Sequence, residues 1–366
     1  MKINKVLFLR LLAGAIIILV VIITLMNITA NQYISTFTPE NSNERQKNID
    51  AVIQKHVKEN HFNGVVLVAL EDQIIFNEGY GYARRFLNRT QNTPDSKFVI
   101  GSMTKAFTAW SILNLADQGL LSLQDKVAQF YPDYAMWEDI TVQNLLNHTS
   151  GIKNYYETPW DFMRYYIARQ TPEKIISRVK NAPLLFKAGE DYQYSNTNYI
   201  ILTDIIEKVS GESYIDFLNQ RLIEPMELHS TGYQEYPWKM QNMAMGYCAG
   251  MIVEVTGFNL SNFHGAGGLY SSTRDIYRFL QGLNEEKHLN EKSNAHVTED
   301  YYYGNGLMLE ENPELGKIYF HTGGGPGIST GMYKMKDQNI SVVVLGNNMQ
   351  CSYQQMVKEI CRAVKP

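Results

Sequence analysis

A serine and a lysine stand three residues apart in the segment SMTK at positions 102–105. At this spacing two side chains lie one above the other on a helix face, so the amine of Lys105 can approach the hydroxyl of Ser102. Serine is a weak nucleophile until a base removes its proton, and a partly desolvated lysine can be that base. The pair therefore predicts nucleophilic catalysis. The structural alternative is that Ser102 caps a helix and Lys105 is a surface side chain.

A second polar pair, Tyr194 and Asn196, stands in a loop-like segment just before a helical run. A tyrosine oxygen close to a lysine can pass protons, and an asparagine amide can orient both the lysine and a substrate carbonyl. Each residue also has a structural interpretation. Tyr194 fits an ordinary aromatic in a chain with 24 tyrosines, and Asn196 fits the N-cap of the helix that follows.

A third segment, HTGGGPG at positions 321–327, follows a run that predicts a strand. Glycine lets a substrate backbone lie close along a strand edge, and a strand N–H there can stabilise an oxyanion. The alternative is a glycine-rich turn beside a histidine whose hydrogen bonds are satisfied. A turn explains the glycines, but it does not explain their occurrence together with the other two segments.

The elements that must position these segments follow from hydrophobic periodicity. A helix is predicted to begin at the SMTK segment and to end at Gly119. Strands are predicted near both chain ends, between two outer helices: a helix at 48–59, strands at 64–70, 73–76, 317–321, 331–334 and 340–345, and a helix at 353–364. The middle, from about 121 to 285, has helical and loop character. This order predicts an antiparallel sheet built from both chain ends, flanked by helices, with a helical lobe beside it and a site in the crevice between them.

The N-terminus has the pattern of a membrane segment. Residues 1–10 carry Lys2, Lys5 and Arg10, and residues 11–30 are uncharged and mostly apolar. At about 1.5 Å per residue this run matches a hydrocarbon core of about 30 Å, and the positive flank predicts a cytoplasmic N-terminus. We expect a single-pass membrane anchor, a polar linker at 31–47 and an extracytoplasmic domain at 48–366. The alternative is a cleaved signal peptide, which would release the domain.

Composition excludes several classes of protein. The chain has 366 residues and 45% hydrophobic content, enough for a large core, so neither disorder nor a disulfide scaffold is expected. Lysine plus arginine number 33 against 37 acidic residues, and the absence of a basic cluster argues against a nucleic-acid partner. The three cysteines, Cys248, Cys351 and Cys361, lack the spacing of a zinc site and could form at most one disulfide.

SxxK, YxN and HTG, in this order, resemble the three motifs of the penicillin-recognising serine hydrolases. The chain is most similar to the branch of class C β-lactamases and D-Ala-D-Ala carboxypeptidases, and further similar segments lie at 62–64, 79–83, 145–152 and 265–271. The resemblance covers about 48–364. It implies a β-lactamase/transpeptidase-like fold of the α/β (α+β) class, with no metal and no organic cofactor.

The resemblance also implies a role for each motif residue. Ser102 would be the acylated nucleophile, Lys105 its proton acceptor and Tyr194 the proton shuttle to the leaving group. The substrate would be held by Asn196, His321, Thr322, Gly323 and Gly324. The oxyanion would lie between the backbone N–H groups of Ser102 and Gly324.

One departure from the β-lactamase pattern bears on the substrate. The third motif begins with His321 where many β-lactamases carry lysine, and an ordinary histidine is mostly neutral at pH 7. This favours a membrane-anchored D-Ala-D-Ala carboxypeptidase or D-peptidase, with an esterase for D-alanyl esters as the next hypothesis. A β-lactamase and a catalytically quiet sensor follow. The expected substrate is a small peptide, ester or β-lactam, and the sequence leaves the oligomeric state open.

Overall fold

The structure is a computed structural model, and it describes residues 34–364 apart from 86–87, 157, 159–168, 237–238, 249–252, 256–259, 284–302 and 350–352. The predicted membrane segment at 11–30 lies outside the described residues. Within the described ranges, no helix has both the length and the apolar content needed to cross a bilayer.

Fourteen strands and nine α-helices are described. The strands are β1 (Gly64–Leu70), β2 (Gln73–Tyr80), β3 (Tyr82–Arg84), β4 (Thr90–Gln91), β5 (Phe98–Val99), β6 (Gly232–Tyr233), β7 (Gly246–Cys248), β8 (Val253–Val255), β9 (Leu269–Ser271), β10 (Tyr303–Gly304), β11 (Leu307–Asn312), β12 (Gly316–Gly325), β13 (Ile328–Met335) and β14 (Ile340–Gly346). The helices are α1 (Glu44–Asn60), α2 (Thr104–Asp117), α3 (Val142–Leu146), α4 (Pro172–Val179), α5 (Asn196–Ser210), α6 (Tyr214–Leu218), α7 (His264–Gly267), α8 (Thr273–Gly282) and α9 (Tyr353–Val364).

The main sheet joins the two ends of the chain, as the sequence predicts. Its order is β10-β11-β12-β13-β14-β1-β2, and every neighbouring pair is antiparallel. Strand β1 is buried on both faces, which explains its unbroken apolar sequence GVVLVAL. Val66 and Val68 pack with helices α1 and α9, whereas Val65 and Leu67 face the core of the helical lobe.

The helical lobe is organised around α2, the helix that follows Ser102. Eleven of its fourteen residues are buried, so it is apolar on nearly every side, as expected for a helix inside a domain. It packs against α5, which begins at Asn196 of the YxN motif, and against α7, which includes Gly265–Gly267. The lobe thereby carries the first two motifs, while β12 of the sheet carries the third.

Several elements extend beyond their predicted boundaries, among them β2 and β13. Helix α1 begins at Glu44, because Asn43 and Gln46 form a reciprocal capping box. Before it, the backbone N–H of Thr36 donates to the Gly79 carbonyl, so this part of the predicted linker contacts the sheet. Strand β12 continues through Gly325 because its glycines keep pairing with β13. The alternative of a glycine-rich turn directly after His321 is therefore wrong, and the chain reverses only after Gly325.

Candidate active site

Ser102 lies in a single 3₁₀ turn, Gly101–Met103, that leads directly into α2. Gly101 has a positive φ of 54°, a conformation that favours glycine, and a side chain at this position would touch the backbone of Gly323 and Gly324. Positive φ and close backbone packing together place Ser102 beside the third motif. The sequence predicted a helix start here, and the structure adds the tight turn before it.

The Lys105 side chain is fully buried, so the structural alternative of a surface lysine is wrong. Its Nζ lies 2.8 Å from Oδ1 of Asn196, 2.6 Å from the Ala266 carbonyl oxygen and 3.2 Å from Oγ of Ser102. The first two partners can only accept hydrogen bonds. A neutral amine has two hydrogens for these two acceptors and one lone pair, which is then directed at the Ser102 hydroxyl.

Burial also favours this neutral form electrostatically. Desolvation lowers the pKa of Lys105 well below its usual range, because the ammonium ion loses its hydration inside the protein. The same effect lowers the pKa of His148 strongly and that of His321 to about 3, so both imidazoles are neutral at pH 7. Lys105 thus has the geometry and the protonation state of a general base for Ser102.

Asn196 is the first residue of α5 and links two parts of the site. Its Oδ1 accepts from Lys105, and its Nδ2 donates to the Tyr156 hydroxyl at 2.9 Å. Its backbone N–H donates to Oδ1 of Asn154. The alternative that Asn196 is the N-cap of this helix is wrong, because Ser195 occupies the N-cap position. Tyr156 belongs to none of the three motifs, and the sequence analysis did not identify this contact.

Tyr194 is close to both Ser102 and Lys105. Burial raises its pKa above the usual range, although a hydrogen bond with Ser102 acts in the opposite direction. The side chain is therefore a phenol, with a proton to donate. Its ring centroid is 5.0 Å from Nζ of Lys105 and 4.4 Å from the ring of His148, so Tyr194 is packed in place beside both the base and the nucleophile.

The third motif provides a strand edge. Strand β11 pairs with β12 only as far as Phe320, whereas residues 321–325 pair with β13 alone among the described strands. The other edge of this stretch is therefore available to a substrate backbone. Gly323 packs tightly beneath the Ile100 carbonyl, while a side chain at Gly324 would meet nothing within 4 Å. Gly324 thus faces open space next to the Ser102 turn.

His321 is placed differently from the sequence prediction. It is only 1% exposed, and both ring nitrogens have protein partners: Nδ1 lies 2.8 Å from the Thr322 carbonyl oxygen, and Nε2 lies 2.8 Å from the Tyr303 hydroxyl. The substrate-binding role expected for the His321 side chain does not fit this geometry, because the ring is neutral and enclosed. Thr322 is half-buried on the same strand.

Two further segments support the site. His148 has a φ of 60° and is buried, and its Nδ1 accepts from the Ser195 backbone N–H at 3.3 Å, so it holds the second motif as a packed loop residue. The segment at 265–268 supplies the Ala266 carbonyl to Lys105. Among the residues described, no three His, Cys, Asp or Glu side chains are grouped to hold a metal ion.

Comparison with known proteins gives a consistent result. A family model described as Beta-lactamase matches residues 49–354. Penicillin-binding protein 4* of Bacillus subtilis is 29% identical over 86% of this chain and 74% of its own length. The putative penicillin-binding protein PbpX of the same organism is 32% identical over 70% of this chain, but only 64% of its own length is covered.

Solved structures share the fold. D-amino acid amidase from Ochrobactrum anthropi superposes with a TM-score of 0.77 at 23% identity, covering 88% of this chain and 99% of the amidase. An octameric penicillin-binding protein homologue from Pyrococcus abyssi gives a TM-score of 0.75 at 27% identity, covering 87% of this chain and 77% of its own. These findings confirm the resemblance that the three motifs predicted, the class of fold, and a serine hydrolase.

Proposed function

We propose that this chain, which belongs to the Beta-lactamase family, is a hydrolase in which Ser102 takes the acyl group of a small amide or ester. The observation that carries the proposal is the coordination of Lys105. Two of its three partners are obligate acceptors, so the lone pair of the neutral amine is directed at the Ser102 hydroxyl.

The proposed reaction has two halves. Lys105 takes the proton of Ser102 as Oγ attacks the substrate carbonyl carbon, and the oxyanion is received by the backbone N–H groups of Ser102 and Gly324. Tyr194 gives its proton to the leaving nitrogen or oxygen as that bond breaks, and regains one from the Lys105 ammonium. Water then attacks the acyl-serine, passes its proton to the same groups, and releases the acid and Ser102.

For the substrate we propose a short D-alanine-type peptide, as expected for a D-Ala-D-Ala carboxypeptidase or D-peptidase. Asn196 and the open edge of β12 from Thr322 to Gly324 would hold its backbone. The D-amino acid amidase among the structural neighbours agrees with an acyl group of this kind.

The buried, neutral His321 favours an esterase as the second candidate, because it offers no cation to a substrate carboxylate. A β-lactamase and a catalytically quiet sensor rank below these.

We also propose that the enzyme acts outside the cell membrane. The apolar run at 11–30 would anchor it as a single span, with residues 1–10 in the cytoplasm and the linker at 31–47 leading to the catalytic domain. If the run is cleaved as a signal peptide, the domain would be secreted. Protease protection of the N-terminal residues in intact cells tests this orientation.

The function itself is tested by recording intact mass during incubation of the full chain, kept in mild detergent, with benzylpenicillin, a D-Ala-D-Ala peptide or a D-alanyl ester. We expect an acyl adduct or hydrolysis in the wild type and neither in Ser102→Ala. Turnover of the ester without the peptide selects the esterase, and loss of penicillin without a lasting adduct selects the β-lactamase. Unchanged labelling and hydrolysis in Ser102→Ala would refute the proposal. Binding without turnover or adduct would point to the sensor.

A further inference from the structure

Tyr303 is a fully buried residue of β10 that no motif of the sequence contains. Its ring lies 4.6 Å from His148 and 6.1 Å from Tyr194, measured between ring centroids, and its hydroxyl lies 2.8 Å from Nε2 of His321. One side chain thus touches the loop that holds the second motif, the second motif itself, and the first residue of the third.

The contacts of His321 determine which of its nitrogens carries the hydrogen. Nδ1 faces the Thr322 carbonyl oxygen, which can only accept, so Nδ1 is the protonated nitrogen of the neutral ring. Nε2 therefore presents a lone pair, and the Tyr303 hydroxyl is the donor facing it. The neighbouring Tyr199 hydroxyl donates its own proton to the Leu146 carbonyl oxygen at 2.9 Å, so it is not a donor to Tyr303, and its oxygen is a second acceptor near Tyr303. The contact with hydrogen-bond geometry is the one to Nε2, and a Tyr303 proton pointing at Tyr199 would leave two lone pairs facing each other there.

The carbonyl that His321 holds belongs to the edge of β12 used by the proposed oxyanion site. Thr322 pairs with Gly331 and Gly324 pairs with Ser329 in the antiparallel ladder with β13. Residues along such a ladder alternate in the edge to which their N–H and C=O groups point. The Thr322 carbonyl and the Gly324 N–H therefore lie on the same edge, two residues apart.

We propose that Tyr303 is a positioning residue: through His321 it fixes the Thr322 carbonyl, and with it the direction of the Gly324 N–H that receives the oxyanion. This inference rests on the proposed function, because it assigns the N–H a role in acylation. Tyr303 itself touches no reacting atom. It acts by holding a neutral imidazole in a single tautomer at the point where pairing between β11 and β12 ends.

The surroundings of His321 are consistent with a fixed, uncharged ring. The titratable groups around it are Lys105 from α2, His148 from the loop after α3, and Tyr303 from β10. Burial keeps both imidazoles neutral at pH 7, favours the neutral amine of Lys105, and keeps Tyr303 protonated. No charge in this group competes with the Tyr303 hydroxyl in selecting the tautomer.

The first test is nitrogen NMR of the full chain, kept in detergent and labelled with nitrogen-15 in histidine. The His321 signals are identified by their loss in His321→Gln. We expect a protonated Nδ1 and an unprotonated, hydrogen-bonded Nε2 in the wild type. In Tyr303→Phe, we expect the second tautomer to appear and the ring to protonate at a pH about one unit higher. A wild-type ring with its hydrogen on Nε2 would overturn the proposal, even if Tyr303→Phe failed to fold.

The second test is the rate of acylation of Ser102, which we expect to fall about tenfold in Tyr303→Phe, as for one lost hydrogen bond. Tyr333→Phe is the matched control, because the buried Tyr333 hydroxyl has no hydrogen-bond partner among the described residues, and we expect wild-type acylation. If Tyr303 acts through His321, Tyr303→Phe causes no further loss in a His321→Gln background. An unchanged rate, or the same tenfold loss in that background, would refute the inference. A wild type that is not acylated would instead refute the proposed function, and the oxyanion role with it.

Discussion

Replacing Gly323 by alanine should separate the two halves of the active site. The Cβ atom of an alanine at 323 would lie 2.0 Å from the Ile100 carbonyl oxygen and 2.3 Å from Oγ1 of Thr330. Neither neighbour moves easily, because the Thr330 hydroxyl itself donates to the Ile100 oxygen at 2.9 Å. Ile100 stands two residues before the nucleophile, so the substitution pushes β12 away from the turn that carries Ser102.

The size of the effect follows from these distances. Real Cβ atoms essentially never approach a heavy atom closer than 3.0 Å, so β12 and Ile100 must move apart by about 1 Å. A displacement of about 1 Å between catalytic groups costs on the order of 100-fold in rate. We therefore expect Gly323→Ala to lower the acylation rate about 100-fold while Ser102, Lys105 and Tyr194 are all retained.

The neighbouring glycine provides the control. A Cβ added at Gly324 meets no heavy atom within 4 Å, so Gly324→Ala should stay within a few-fold of the wild-type rate with a small ester. Acylation of Ser102 is followed by mass spectrometry under single-turnover conditions, and thermal unfolding shows whether each variant is folded. Equal rates for folded Gly323→Ala and Gly324→Ala would show that contact between β12 and Ile100 does not set the geometry of the site.

Two further predictions concern Lys105. A base whose pKa is lowered by burial is neutral in the folded chain and charged in the unfolded chain, so its burial destabilises the fold more as the pH falls towards the folded pKa. The free energy of unfolding of Lys105→Met relative to the wild type should therefore rise as the pH falls from about 10 towards the lowered pKa of Lys105. A difference that stays constant with pH would contradict the assignment. Since acylation requires the neutral amine, its rate should fall as the pH drops through the lowered pKa of Lys105. Stopped-flow acylation measures this, and a rate that does not fall with decreasing pH would contradict the role of the lysine as base.

The architecture was predictable from the sequence because its strands are strongly apolar. The runs that became β1 and β14 are rich in valine, isoleucine and leucine, and their places near the two chain ends leave an antiparallel sheet as the simple solution. The nucleophile and base were predictable because SxxK is a local pattern on one helix. The capping box of Asn43 and Gln46 was also readable in the sequence, but the polar composition around it led to the prediction of a linker.

The remaining features depend on tertiary contacts. Tyr156 and Tyr303 are two of 24 tyrosines, and nothing in their local sequence distinguishes them from packing residues. The enclosed position of His321 depends on Tyr303 and on where β11 stops pairing, which local periodicity does not encode. The continuation of β12 through its glycines likewise depends on the partner strand β13, because isolated glycines favour turns over strands.

The sheet that joins both chain ends has a consequence for the order of folding. Strand β1 lies between β2 and β14, and its register with β14 pairs Gly64 with Gly346. The hairpin of β1 and β2 leaves the ribosome early, but its inner edge has no partner until almost the whole chain has been made. Pairings this distant in sequence form slowly. The chain should therefore approach the end of synthesis with β1 still unpaired on its inner edge, and loss of β14 should unfold the N-terminal hairpin as well as the C-terminal half.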